Sequence, residues 1–502
     1  MTRIIFPLLL LFLLAGCREE SMPAAKLLQC TGCHAVELDT NHELSCITCH
    51  RGNNEAQDKE TAHIQLIARP AHPDSMGDVC GPCHGATVAG VIDSQHFTLK
   101  NSTNTFREVF GAEKPLTNFL EVPVKENPEN ILELADDLLR RRCFRCHPYS
   151  PGDNYPAVGH GVGCSACHLS FFEGKLQSHT FQKPQDQQCL SCHYGNYVGF
   201  DYYGRFEHDY NAEYRTPYTT KNAHFRPFGV EYHQLVPDIH QQKGLVCVDC
   251  HSGQELMRDS AVKPSCAACH SGDELAKSLP PRVERREKDA FVLLAGNGKE
   301  HPIPLLQHPA HFNNPEKITC QACHAQWTFN DISKHYLRSD VDDVDPWTLL
   351  ATQGSFEVEN LVEHNSDFNN TELPLQMTDK ITRTPRQGLW LKGFTMRRWE
   401  EVVLGRDRDG AIATMRPMLD YSLSWIDEEE NVRFDSLMAI DNMQGLRPYV
   451  PHTTGPAGVF YRERIDNYLK KEQTATTREF YTLLPRRSRP RHHTSPIPHS
   501  PF

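Results

Sequence analysis

Residues 30–50 read CTGCHAVELDTNHELSCITCH, two copies of Cys-x-x-Cys-His with a further histidine, His42, between them. The pentapeptide occurs nine times and takes up eighteen of the nineteen cysteines. The copies are Cys30, Cys33 and His34; Cys46, Cys49 and His50; Cys80, Cys83 and His84; Cys143, Cys146 and His147; and Cys164, Cys167 and His168. They continue with Cys189, Cys192 and His193; Cys247, Cys250 and His251; Cys266, Cys269 and His270; and Cys320, Cys323 and His324. Covalent attachment of c-type haem asks for this pattern. Two thiols form thioethers with the porphyrin vinyls, and the adjacent imidazole becomes the proximal ligand of the iron. Structural zinc gathers four ligands from two half-sites and has no use for a histidine after every second cysteine. A redox dithiol is equally indifferent to the residue that follows, and a disulfide framework varies its spacings. Nine haem c groups are therefore expected.

The nineteenth cysteine belongs to the N-terminus. Residues 1–14 carry one positive charge, Arg3, ahead of an apolar run, which suits a secretory signal and is too short for a permanent spanning helix. They lead into Leu14-Ala15-Gly16-Cys17, which resembles a bacterial lipobox. The resemblance implies cleavage before Cys17 and acylation of that residue as a lipid anchor; the alternative is an ordinary cleaved signal with Cys17 free. Arg18 in place of Asp implies the outer membrane, on its periplasmic or cell-surface face, by the usual bacterial sorting pattern. Composition agrees with a core built partly from cofactor. Hydrophobic residues are 39% of the 502 and the mean hydropathy is −0.55, below the usual apolar share. The net charge of −12 argues against nucleic acid as a partner and favours basic faces on redox partners.

The chain divides by its cysteines into a signal and lipobox (1–17), a linker (18–29), a haem-bearing region (30–339), a cysteine-free region (340–484) and a basic, proline-rich tail (485–502) expected to be disordered. Apolar residues at helical spacing predict a helix over 130–142, running into the fourth motif. In the cysteine-free region, segments 399–404 and 411–415 flank the turn cluster GRDRDG and predict one hairpin. Alternation over 421–426 and 432–437 predicts a second, and an amphipathic helix is expected over 457–471. The fold expected is a mostly irregular and α-helical multihaem domain of low secondary-structure content, with a small, separate β-rich (α+β) C-terminal domain.

The sixth position on each iron decides between a carrier and an enzyme, because an occupied iron exchanges electrons and an open one binds substrate. Of 28 histidines, nine are proximal and three lie in the tail, leaving sixteen for nine places. The favoured distal ligands are His63, His96, His160, His179, His240 and His311, then His42, His335 and one of His208, His224 or His233. Only Met22, Met76 and Met257 precede His324 in the mature chain, so few His/Met sites, which have higher potentials, are available. No catalytic residue can be named.

With nine motifs, residues 30–324 are similar to the multihaem c-type cytochromes. More narrowly, residues 164–270 resemble the octahaem branch that includes hydroxylamine oxidoreductase and relatives of tetrathionate reductase. The stretches are CSACH after Gly163, CLSCH, Asp238-Ile239-His240 before CVDCH, and CAACH. There are nine motifs rather than eight and the C-terminal region has no counterpart, so the resemblance does not carry over catalysis. The expected role is an anchored, mainly bis-His electron relay between periplasmic or outer-membrane redox proteins. The alternatives are an oxidoreductase acting on a small nitrogen or sulfur compound at one five-coordinate haem, and a haem-bearing structural or filament subunit.

Overall fold

The computed structural model describes residues 29–474 apart from 156–157, 173, 208–211, 219–231, 260–262, 288, 333, 342–351, 354, 366, 368, 394–395, 439–444 and 458–460. Cys17, the tail, His208 and His224 lie outside the described residues.

The predicted helix is present at Ile131–Arg141. Asn130 caps it by accepting from the Glu133 N–H at 3.0 Å, and its apolar side buries Leu134, Leu138 and Leu139. Two further helices, Gly81–Ile92 and Lys100–Val109, fill the gap between the third and fourth motifs. The motifs themselves are mostly single helical turns such as Cys46–His50, Cys266–His270 and Cys320–His324. A turn of this kind brings both thiols and the imidazole to one end of a short rigid unit.

The C-terminal strands form a five-stranded sheet in the order Thr352–Gln353, Leu389–Gly393, Lys334–Ser339, Tyr421–Ile426 and Val432–Met438. Its neighbours are antiparallel except the pair Lys334–Ser339 and Tyr421–Ile426, which run parallel. Both predicted hairpins are found. Val403–Arg406 pairs with Ile412–Pro417 in the register Val403↔Met415, and Tyr421–Ile426 pairs with Val432–Met438. The C-terminal helix is Tyr461–Thr474.

Packing runs on across residue 340, where a separate C-terminal domain was expected to begin. Strands Thr328–Ile332 and Lys334–Ser339 already belong to its sheets. One apolar core joins Phe106, Phe110, Phe119, Leu134 and Leu138 of the motif-bearing region to Tyr336, Trp390, Leu423 and Trp425. Buried ion pairs cross the same seam, with Arg140 Nε 2.7 Å from Asp379 and Arg386 3.1 Å from Asp137. A change in composition marked a change of secondary structure; it did not mark a break in packing.

Candidate haem sites

Imidazole pairs are the main feature of the motif-bearing region. His34 faces His63, with ring centres 6.2 Å apart; His84 faces His42 at 6.2 Å; His50 faces His179 at 6.3 Å. His193 faces His96 at 6.2 Å, His270 faces His240 at 6.2 Å, His251 faces His452 at 6.4 Å and His324 faces His311 at 6.1 Å. Direct ring stacking brings aromatic planes closer than this. With a metal–nitrogen bond of about 2 Å on each side and about 1.2 Å from nitrogen to ring centre, two imidazoles sharing one iron stand about 6.4 Å apart. All seven pairs lie within a few tenths of that spacing, and each contains one motif histidine; an eighth pair, His308 with His311 at 6.3 Å, contains none.

The rings are held by their other nitrogen. The Nδ1–H donates to Ile67 O from His50 (2.9 Å), to Leu256 O from His96 (3.2 Å) and to Gln182 O from His168 (2.9 Å). It donates to Pro304 O from His270 (2.8 Å) and to Gly455 O from His324 (2.9 Å). Carboxylates serve His42, His240 and His251, through Asp39 (2.9 Å), Asp238 (2.8 Å) and Glu255 (3.0 Å). Holding Nδ1 in this way fixes the tautomer and leaves Nε2 free to bind a metal.

Cys143, Cys167 and Cys250 are solvent-accessible, yet burial pushes them up to about 11, about 11 and about 12. The accessible ring of His193 is likewise pulled down to about 4 by burial. No three described His, Cys, Asp or Glu side chains converge as a bare metal ion would require.

Cysteines of different motifs also meet. Cys80 lies close to Cys164, Cys146 to Cys192, Cys189 to Cys247, and Cys266 to Cys320. Cys49 neighbours Cys80, Cys167 neighbours Cys189, and Cys250 neighbours Cys269. The resulting line runs through motifs two, three, five, six, seven, eight and nine, with motif four as a side branch from six. The Cys30 N–H of motif one donates to Asn54, four residues past motif two, at 3.0 Å. Motif five is seated by Gly163, whose φ of +55° suits glycine and where an added Cβ would fall on the Ala71 carbonyl.

Two motif histidines face no other histidine among the described residues. His168 is oriented through Nδ1 like the others. His147 is turned the other way: its Nε2–H donates to Lys380 O at 3.2 Å and its Nδ1 accepts from the Tyr149 N–H at 3.2 Å. Around Cys143 lie Arg142, Arg145, Glu213, Tyr336 and Tyr421. Glu213 is 2.5 Å from Arg145 and 2.9 Å from Lys392, which also reaches Asp331 at 3.1 Å.

Of the expected distal ligands, His42, His63, His96, His179, His240 and His311 each face a motif histidine. The expectation for His335 is corrected: it sits in the sheet with Nε2 2.7 Å from Ser424 Oγ. His160 is buried with Nδ1 donating to Gly161 O at 2.6 Å and Nε2 without a partner, beside Cys146. His233 stacks on Phe206, with ring centres 6.0 Å apart. His452 was not among the expected ligands; it is separated from His251 by some two hundred residues, and no local signal ties the two. No family model, curated protein or solved structure matches the chain.

Proposed function

We propose that this chain is a lipid-anchored multihaem c-type cytochrome that relays electrons through nine covalently held haems, most of them bis-His. The observation that carries the reading is the set of seven imidazole pairs at 6.1–6.4 Å, each joining a motif histidine to a second histidine. The porphyrins supply the redox chemistry when bound; the protein fixes their spacing, their axial ligands and hence their potentials. The closeness of thiols from different motifs supports neighbouring haems, the arrangement a relay needs. The line of contacts supports entry or exit of electrons at the first and ninth sites, next to redox proteins of the periplasm or outer membrane. A pyridine haemochrome assay on the exported protein is expected to give nine haems per chain; zinc in their place ends this reading.

A second reading attaches to the fourth motif, where a small nitrogen or sulfur compound would react. It is favoured by the reversed His147 and by the side-branch position, since a branch does not carry through-traffic. Arg142 and Lys392 would attract an anionic substrate, and Tyr336 and Tyr421, whose rings stand 5.3 Å apart, lie near enough to deliver a proton. His160 is the described histidine placed to close this site instead. Electron paramagnetic resonance of the oxidised protein decides. One high-spin haem in nine, shifted by nitrite or hydroxylamine, supports a reacting site; nine low-spin haems remove it and leave the relay alone.

A further inference from the structure

Four consecutive residues, 452–455, reach three of the motif sites at once. His452 faces His251 of the seventh motif at 6.4 Å with the planes 24° apart, and the edge of Tyr202 braces its ring. The Thr454 N–H donates to Asp238 Oδ2 at 2.8 Å, while Asp238 Oδ1 accepts from His240 Nδ1 at 2.8 Å. His240 is the histidine facing His270 of the eighth motif. The Gly455 carbonyl accepts from Nδ1 of His324, the ninth motif histidine, at 2.9 Å, and the Gly455 N–H returns a bond to His324 O.

The stretch is itself anchored on both sides. Thr453 Oγ1 donates to Trp327 O at 2.8 Å, and Gln326 N–H donates to Thr453 O at 2.9 Å. Ile239 N–H donates to Thr454 O at 2.8 Å, so the backbone beside His240 is tied directly to it. Thr453 is fully buried and Asp238 nearly so. The three sites are neighbours in space as well, through Cys250 with Cys269 and Cys266 with Cys320.

We propose that residues 452–455 are a clasp on the seventh, eighth and ninth haem sites: His452 is the sixth ligand of the seventh iron, and the same stretch orients the axial imidazoles of the other two. The inference rests on the haem reading above. Axial ligation and the hydrogen bond to a ligating imidazole both set haem potential. A movement of the clasp therefore shifts three potentials together, at the end of the line where electrons enter or leave. It also makes docking of the cysteine-free region a condition of finishing the relay.

The test uses the full chain carrying its haems. His452→Gly is expected to keep nine haems by haemochrome while one haem in nine passes from low spin to high spin, and added imidazole is expected to restore it. An unchanged low-spin count overturns ligation by His452. Should His452→Gly not accumulate, His452→Met is expected to raise one potential with the spin count kept, and an unmoved set of potentials overturns the same claim. Asp238→Asn turns an amide N–H toward the Thr454 N–H and releases the stretch. In a potentiometric titration followed by paramagnetic resonance, three low-spin components are expected to shift and the others to stay. A shift of one component, or none, overturns the clasp. Absence of haem from the unsubstituted protein instead sinks the underlying reading, so the two failures are distinct.

Discussion

His42 and His179 show what a residue's neighbours in sequence do and do not reveal. His42 stands four residues before the second motif yet faces His84 of the third; His179 stands ten before the sixth yet faces His50 of the second. The motif triads could be picked out because the chemistry proposed for them is local: thiol, thiol and imidazole must sit on one turn. Which histidine faces which is a property of the tertiary path, so the supply of histidines was legible and the pairing was not. His335 had the right residue type and position along the chain, but alternation in a strand turned its ring to Ser424. A pair of substitutions separates the cases. His179→Ala is expected to convert one haem to high spin, and His335→Ala to leave the spectrum unchanged; paramagnetic resonance of both reads the difference. A new high-spin haem in His335→Ala would contradict the assignment.

Elements were legible where one helix or hairpin carries its own pattern. Ile131–Arg141 combines an asparagine cap with apolar residues at helical spacing, and both C-terminal hairpins announce themselves through turn clusters. The parallel pairing of Lys334–Ser339 with Tyr421–Ile426 could not be read, since nothing local selects a partner some eighty residues away. The last turn of the helix also departs from expectation. Arg140 and Arg141, which composition would place in solvent, are buried against Asp379 and Asp137. Removing one partner strands a charge out of water. Asp379→Ala is expected to destabilise the protein by roughly 3–5 kcal/mol, whereas Glu274→Ala, at the exposed pair with Lys277, should cost no more than about 1 kcal/mol. Denaturant unfolding of the two variants compares them.

Across the whole molecule, the seam between motif region and sheets is charged as well as apolar, and this gives it a pH dependence. Burial by itself raises Glu213, but Lys392, Arg145 and Arg142 outweigh it and hold the carboxyl well below its usual 4.5. A folded-state value below the unfolded one contributes stability that is complete above about pH 4.5 and declines as the pH falls toward the folded value. Glu213→Gln is therefore expected to lower stability at pH 7, with the difference from the unsubstituted protein shrinking below pH 4.5. Unfolding midpoints measured from pH 7 to pH 3 check it; a constant difference would contradict the role. Neither the net charge nor the cysteine spacing foretold this cluster, because it is assembled from residues 142–145, 213, 331 and 392 only after folding.

The wide separation of His251 from His452 bears on the order of manufacture. A chain is made from its N-terminus, so His34 and His63 become available almost together, as do His311 and His324. The seventh motif is made before the eighth and ninth, but its partner arrives after both are complete. On the proposed ligation, the seventh site is the last to close, and until residue 452 arrives its iron would offer an open face to any small ligand present. The finished relay and the half-made one would then differ in kind: only the completed fold, with residue 452 in place, closes this site to unwanted chemistry.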